Sequence, residues 1–307
     1  MKNFSISIAA LTLALASGSA FAADLPTQKA PPVVAAPAPM WTGFYAGLNL
    51  GGNIGTNGSF YSQNYGLPSP GTVFNGVLVG AGRISTSPMA MSGAASNTQS
   101  GVIGGGQIGY NHQWGSNYVV GIEADFQGTS TSGASRTQGY FIETSAVSRG
   151  DASGSTAANT GLNYLGTVRG RVGYLWNPSL LLYGTGGFAY GGAWANVSQT
   201  VLSVASISSP ALTGTATGIR FGGGQQNQLL TGWTAGGGFE WMFMTNWSMK
   251  AEALYWDLGR MNINTFATST NSGNSWGRSS VNYAGVTARA GVNYHFNFGS
   301  APVVAKF

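Results

Sequence analysis

The side chains able to do ionic or acid–base chemistry in this chain follow a period of two. Glu123 and Asp125, Arg169 and Arg171, and Lys250 and Glu252 are each spaced i, i+2, and Glu240 and Arg289 stand on the polar side of similar surroundings. Residues two apart share one face of a strand, whereas on a helix they diverge. Four acids and four bases on one face form a neutral set. Such a set serves either as a structural plug, in which opposite charges pair, or as the lining of an ion pathway.

The other candidates for chemistry are weaker. His112 and His295 are the only histidines, and a zinc site needs three or four ligands. A hydrolase of the Ser-His-acid type needs a histidine with serine and carboxylate nearby. His295 is flanked by Tyr294 and Phe296, and His112 by Asn111 and Gln113. The run GGGQIG at 104–109 has the form G-x-G-x-x-G, but that fingerprint requires a strand before it and a helix after it, and here it lies inside a strand pattern. The triplets Asn57-Gly58-Ser59 and Asn196-Val197-Ser198 resemble glycosylation acceptors and arise by chance in an Asn- and Ser-rich chain. The absence of cysteine removes disulfides and thiolate ligands. The expectation is no catalytic residue, no cofactor, no metal and no enzymatic activity.

Composition narrows the elements that position these groups. Only 7% of the 307 residues are charged, against roughly 25% in an ordinary soluble domain. Hydrophobic content is ordinary at 43%, and 49 glycines together with Ser, Thr and Asn replace the missing charge. Beyond the N-terminus no apolar run reaches the length of a transmembrane helix. The net charge of +5 includes no basic cluster, the closest pair being Arg169 and Arg171; nucleic acid is not expected as a partner.

Strict alternation supplies the elements. In VTARAGVNYHFNF (286–298), Val286, Ala288, Ala290, Val292, Tyr294, Phe296 and Phe298 share one side, and Thr287, Arg289, Gly291, Asn293, His295 and Asn297 the other. This is a strand signal, and its length with aromatics at one end fits a membrane-spanning strand. Seven further segments alternate. Phe44, Ala46, Leu48 and Leu50 oppose Tyr45, Gly47 and Asn49. Ile108 and Tyr110 oppose Gln107 and Asn111, and Tyr118 to Phe126 opposes Glu123, Asp125 and Gln127. Leu162, Tyr164, Val168, Val172 and Tyr174 oppose Asn163, Thr167, Arg169 and Arg171. Leu180, Leu182, Phe188 and Tyr190 share a side in the fifth. Trp233 to Trp241 opposes Thr234 and Glu240, and Trp247 to Ala253 opposes Lys250 and Glu252. The parity of the last blurs over 254–258, where a bulge is expected.

Connections alternate as well. Turns of a few residues (115–117, 177–179, 245–246) alternate with stretches of roughly 25 to 50 residues rich in Ser, Thr, Gly and Asn, read here as structureless loops. Trp41, Trp114, Tyr118, Trp176, Trp241, Phe243, Trp247, Phe296 and Phe298 gather at the short-turn end as an interfacial girdle. The fold expected is all-β: an eight-stranded antiparallel up-and-down transmembrane β-barrel over 41–298, with short periplasmic turns and four long extracellular loops. The polar side faces inward. A one-residue slip would turn Arg289 into lipid at about 2–4 kcal/mol near the midplane, so the charges fix register. Inward glycines (Gly47, Gly109, Gly121, Gly173, Gly238, Gly291) are expected to make room for long Arg and Lys side chains. Outward glycines (Gly104, Gly106, Gly184, Gly186, Gly237) relieve crowding or allow close packing against a neighbour.

The N-terminus reads as an export signal over 1–22: Lys2, an apolar run at 6–16, and Ala20-Phe21-Ala22 before cleavage at Ala23. A Pro- and Ala-rich tether covers 23–40, and nine residues (299–307) extend past the last strand. Outer-membrane barrels commonly end on an aromatic of the last strand, so either Phe298 or Phe307 is the assembly signal.

WTGFYAGLNLGGNIG (41–55), GVIGGGQIGYNHQWG (101–115), YVVGIEADFQG (118–128), NYLGTVRGRVGYLW (163–176), LLYGTGGFAYG (181–191), MKAEALYWDLG (249–259) and ARAGVNYHF (288–296) resemble the small outer-membrane β-barrel surface antigens of alphaproteobacteria. These are opacity-protein-like, porin-family or outer-membrane immunogenic proteins. The resemblance covers the signal and all eight strands but not the long loops. It implies an outer-membrane location with both termini periplasmic, lipid and lipopolysaccharide as surroundings, and the barrel-assembly machinery as a partner during insertion. It also implies roles in envelope integrity and surface exposure, with host or extracellular ligands met by the loops. Some members bind haemin or act as small pores. Tyr61, Tyr65, Met89 and Met91 are the loop side chains able to ligate haem, without a loop histidine. Two functions remain: a structural envelope component and surface antigen acting through its loops, or a narrow diffusion pore for ions or small solutes, widened if 72–84 adds a hairpin to the wall.

Overall fold

The computed structural model describes residues 41–56, 58–67, 72–74, 77–79, 87–144, 148–209, 212–269 and 274–296. The export signal with Ala20, Ala22 and Ala23, the tether, Phe298 and the C-terminal extension lie outside the described residues.

Among the described residues thirteen strands and one 3₁₀ turn follow in order: β1 (Gly43–Gly55), β2 (Ser59–Gly66), β3 (Thr72–Phe74), β4 (Val77–Val79), the turn η1 (Ser87–Met91), β5 (Gly93–Ser96), β6 (Ser100–Trp114) and β7 (Tyr118–Thr129). Then come β8 (Ser132–Thr144), β9 (Ser148–Asn177), β10 (Leu180–Ser209), β11 (Leu212–Met244), β12 (Trp247–Ser269) and β13 (Ser275–Phe296). Antiparallel pairing runs β1-β6-β7-β9-β10-β11-β12-β13 and returns to β1, so eight strands close a ring. Closure is long, from Phe44 opposite Phe296 to Gly55 opposite Gly285, and leaves no free edge in the ring. The eight strands are those whose alternation is readable in the sequence.

Sidedness follows the period. Phe44, Leu48, Leu50, Ile108, Ile122, Val172, Phe239 and Val292 are exposed, while Tyr45, Gln107, Asn111, Thr167 and Asn293 are buried within the ring. One strand departs from expectation. In β9 a register shift falls between the partners Gly192 and Ala193, which face Tyr164 and Leu162. The extra residue reverses parity, so Leu162 points inward and Asn163 outward. The β12 irregularity lies between Asp257 and Gly259, where Gly259 takes a φ of 79°. Leu254 and Trp256 before it and Leu258 within it all face inward; parity blurs in the sequence because the inward side itself turns apolar there.

The long connections are not structureless. β9 and β10 run 30 residues each and β11 runs 33, where about 9–11 suffice to span a bilayer. β10 and β11 pair continuously from Leu180–Trp241 to Ser209–Leu212. The cause is visible in residues 193–203: Ala195, Val197, Gln199, Val201 and Ser203 are buried, and the residues between them face outward. Ser and Thr hold the same pleat with weaker hydrophobic contrast. β8 pairs along the far half of β9, β2 along the far half of β13, and β5 along β2, so the wall continues past the ring. The turn η1 packs inside this extension, with Ala90 and Met91 buried and the Met91 carbonyl accepting from Thr156 Oγ1 at 2.7 Å. β3 and β4 pair only with each other, in a separate two-stranded sheet. These two strands add nothing to the ring wall, and the rest of the 72–84 stretch considered for widening lies outside the described residues.

Candidate functional site

The interior of the ring is built in layers along its axis. At the short-turn end Trp41, Val119, Leu175, Leu181, Tyr183 and Met242 form a buried apolar cluster. Trp41 belongs here and not to the girdle: it is 1% exposed, against 74% for Trp114. It stands two residues before β1 and turns inward, where its Nε1 donates to the Pro178 carbonyl at 3.0 Å and its ring meets His295 edge-on. Of the other described girdle residues, Trp114, Tyr118, Trp176, Trp241, Trp247 and Phe296 are exposed on the outer face, and Phe243 is half-buried beside Trp241.

Above that cluster lies the ionic layer. β7, β9, β11, β12 and β13 bring together Glu123, Asp125, Arg169, Arg171, Glu240, Lys250, Glu252 and Arg289, all buried. Arg169 is the hub. It donates to Glu123 at 2.5 Å, Asp125 at 2.9 Å and Glu252 at 3.1 Å, and its Nε to Thr167 Oγ1 at 2.9 Å. Lys250 bridges Glu123 at 2.9 Å and Glu252 at 3.1 Å. Arg289 donates to Glu252 at 2.6 Å and Asp125 at 2.7 Å. Arg171 donates to Glu240 at 2.8 Å and to the Tyr45 hydroxyl at 2.9 Å, and Tyr45 donates onward to Glu123 at 2.6 Å. The Arg171 guanidinium lies 4.1 Å from the centre of the Tyr183 ring. Taking eight charges out of water costs several kcal/mol each; sharing among neighbours of opposite sign offsets that cost.

The eight charges stand out in the sequence, whereas the polar residues that complete their shell are placed inward by parity without any sign that they join the network. Tyr45, Tyr183, Asn49, Gln107 and Asn293 carry no charge to flag them. Asn49 donates to Gln107 at 3.0 Å, Gln107 to Asn293 at 2.5 Å, and Asn293 to Glu240 at 2.7 Å. Their inward parity is the signal that identifies them. The inward glycines serve other partners than expected. A side chain at Gly121 would strike the Asn111 amide before it met Arg171 Cγ at 3.2 Å, at Gly109 it would strike the Tyr45 ring and at Gly47 the Asn293 amide. At Gly173 it would strike Leu181, and at Gly238 Glu252. The space serves aromatic, amide and aliphatic groups more than Arg and Lys.

Glu240 and Ser248, on either side of the β11–β12 turn, meet His295 of β13 inside the ring. Ser248 Oγ lies 2.9 Å from His295 Nε2 and donates to Glu240 Oε1 at 2.6 Å, and the same Nε2 is 3.3 Å from Glu240. A relay requires serine and acid on opposite ring nitrogens; here one nitrogen serves both, so the arrangement cannot activate the serine. His112 is exposed on the outer face of β6, on the other side of the wall from this cluster. Among the described residues no group of three His, Asp or Glu is arranged to hold a metal ion. Met91, one of the loop side chains considered for haem, is buried beneath the extension wall, while Tyr61, Tyr65 and Met89 are exposed.

Beyond the ions, a second apolar layer fills the lumen, including Ile103, Leu162, Leu165, Leu230, Trp256, Leu258 and Tyr283. Outside at this height lies an arc of aromatics that the sequence pattern did not single out: Phe126 against Tyr164, Phe188 beside Tyr190, and Trp233 against Tyr255. Two aromatic levels about eight residues apart along tilted strands enclose roughly 20–25 Å of apolar wall, the height of a barrel's lipid-facing band.

A closed antiparallel ring with exposed apolar side chains outside and paired ions inside defines a membrane β-barrel protein. No family model matches the chain. It is 31% identical over 291 residues to the 31 kDa outer-membrane immunogenic protein of Brucella melitensis, covering 94% of this chain and 98% of that one, and the protein of the same name from Brucella suis matches equally. The chain belongs to this family of outer-membrane immunogenic proteins, and its location is the outer membrane. Looser likenesses exist among solved structures. OprG of Pseudomonas aeruginosa has a TM-score of 0.32 at 8% identity, covering 83% of this chain and 97% of that one. Ail, the attachment invasion locus protein of Yersinia pestis, has 0.26 at 12%, covering 81% and 99%. At these values they carry no argument here.

Proposed function

We propose that the chain forms a sealed eight-stranded barrel that serves as a structural component of the outer membrane and as a surface antigen. In this reading the short turns and both termini are periplasmic, the long hairpins stand outside the cell, and residues 1–22 are the export signal. The observation that carries it is the filling of the lumen: Arg169 and Glu252, at 1% and 0% side-chain exposure, sit in a charge layer between two apolar clusters. Conduction requires a continuous water path, and ions paired this closely between greasy layers oppose one. The Brucella members of the family are named as immunogenic; here the extended hairpins offer the surface for such recognition and for contacts with host or extracellular ligands. Lipid, lipopolysaccharide and the assembly machinery complete the partners in this reading.

Planar-bilayer recording on purified protein tests the proposal. No stable single-channel steps are expected from the wild type. Reproducible steps whose amplitude changes in Arg169→Ala or Glu252→Ala would establish the pore reading instead.

A further inference from the structure

The outer face of the wall extension carries a second patterned surface. On β12, β13 and β2, register sets Phe266 opposite Trp276 and Trp276 opposite Tyr65. All three are about half exposed, and the Trp276 and Tyr65 rings lie 5.2 Å apart with a tilt of 31°. One step nearer the apolar band the outward row is Asn264, Arg278 and Gln63, all exposed. Nearer still, Arg260 is exposed opposite Asn282. The nearest carboxylate along β12, Asp257, accepts the Gly259 N–H at 2.8 Å.

Aromatic rings that pay for neither core nor lipid packing lie beside amides and two cations. Flat rings pack against the C–H face of a pyranose, amides match its hydroxyls, and guanidinium forks hold phosphate or carboxylate bidentately. Height selects the source. Arg260 lies five residues beyond Tyr255 of the outer aromatic arc, about 10–15 Å along the axis of a tilted strand. Phe266 lies about 30 Å beyond it. An acidic oligosaccharide carried by a lipid in the same leaflet rises through that interval.

We infer that the β12–β13–β2 face binds the phosphorylated sugar region of lipopolysaccharide, with Arg260 and Arg278 holding its anionic groups and Trp276 and Tyr65 its sugar faces. The inference rests on the proposed outward orientation of the hairpins. That orientation is tested separately by labelling Thr268→Cys in intact cells with a membrane-impermeant maleimide. Binding to the purified protein in detergent does not depend on it.

The probes are rough-type lipopolysaccharide, lipid A and phosphatidylglycerol vesicles, with folding of each variant checked by heat-modifiable gel mobility. Rough lipopolysaccharide should bind saturably. Arg260→Gln with Arg278→Gln should weaken it about tenfold or more, as expected for lost charge-assisted contacts, and Trp276→Ala about fivefold. Arg136→Gln, an exposed cation on β8, should leave it unchanged. Absence of binding, equal loss in Arg136→Gln, equal competition by phosphatidylglycerol, or equal binding of lipid A with Trp276→Ala silent would each overturn the inference.

Discussion

Replacing Arg169 by methionine removes one cation from a neutral set of eight and leaves Glu123, Asp125 and Glu252 each short of a donor. The methionine fills much of the volume, so the loss is chiefly electrostatic. Glu123 and Glu252 keep Lys250, and Asp125 and Glu252 keep Arg289, so no carboxylate is abandoned, yet the layer holds a net negative charge away from water. Breaking a buried pair from one side costs about 3–5 kcal/mol. The exposed pair Arg149–Asp151, at 3.4 Å with 61% and 36% side-chain exposure, supplies the contrast at about 0–1 kcal/mol. Urea unfolding in detergent micelles, followed by tryptophan fluorescence and gel mobility, measures both. Arg169→Met should be less stable than wild type by several kcal/mol and Arg149→Met by under one. Pairing Arg169→Met with Glu123→Gln should recover part of the loss by restoring neutrality. Equal effects at 169 and 149, or a double variant as weak as the sum of its singles, would refute the claim that the ions act as one balanced layer.

Trp41→Ala empties the apolar cap at the short-turn end and should cost about 3–5 kcal/mol in the same assay, whereas Trp114→Ala on the outer face should cost much less. Ala290→Arg places a cation on the lipid-facing side of β13 beside buried Arg289 and should destabilise folding into bilayers by about 2–4 kcal/mol; little change would contradict the assigned sidedness. Mass spectrometry of protein purified from outer membranes should find a mature N-terminus at Ala23.

Much of the ring is legible in the sequence because lipid outside and ions inside impose the largest contrast a strand can carry. Glu123 and Asp125 between Ile122, Ala124 and Phe126 admit one reading, and register follows from it. Legibility fails where contrast fails. Trp41 lies beyond the strand end, where a single residue has no neighbour to reveal parity, and its type alone placed it in the girdle. The outward side for Leu162 and the inward side for Asn163 follow only if parity runs unbroken through a bulge that shows in partner register alone. The extended halves of β9, β10 and β11 read as loops because Ser, Thr, Asn and Gly occupy both faces. A period of two persists there, but in size and burial more than in hydropathy. The meeting of Ser248 and Glu240 with His295 depends on the pairing of β11 with β12 and of β12 with β13, and the separation of His295 along the chain conceals it.

The length of the β10–β11 hairpin carries a consequence for how such a surface drifts. Past the outer aromatic arc, Val197, Gln199 and Val201 are held in place by their packing, while Ser198, Thr200 and Leu202 project into the surroundings. Every second codon there is released from the demands of folding and of lipid. In the proposed orientation the exterior can change one side chain at a time while the buried positions keep the pleat in register.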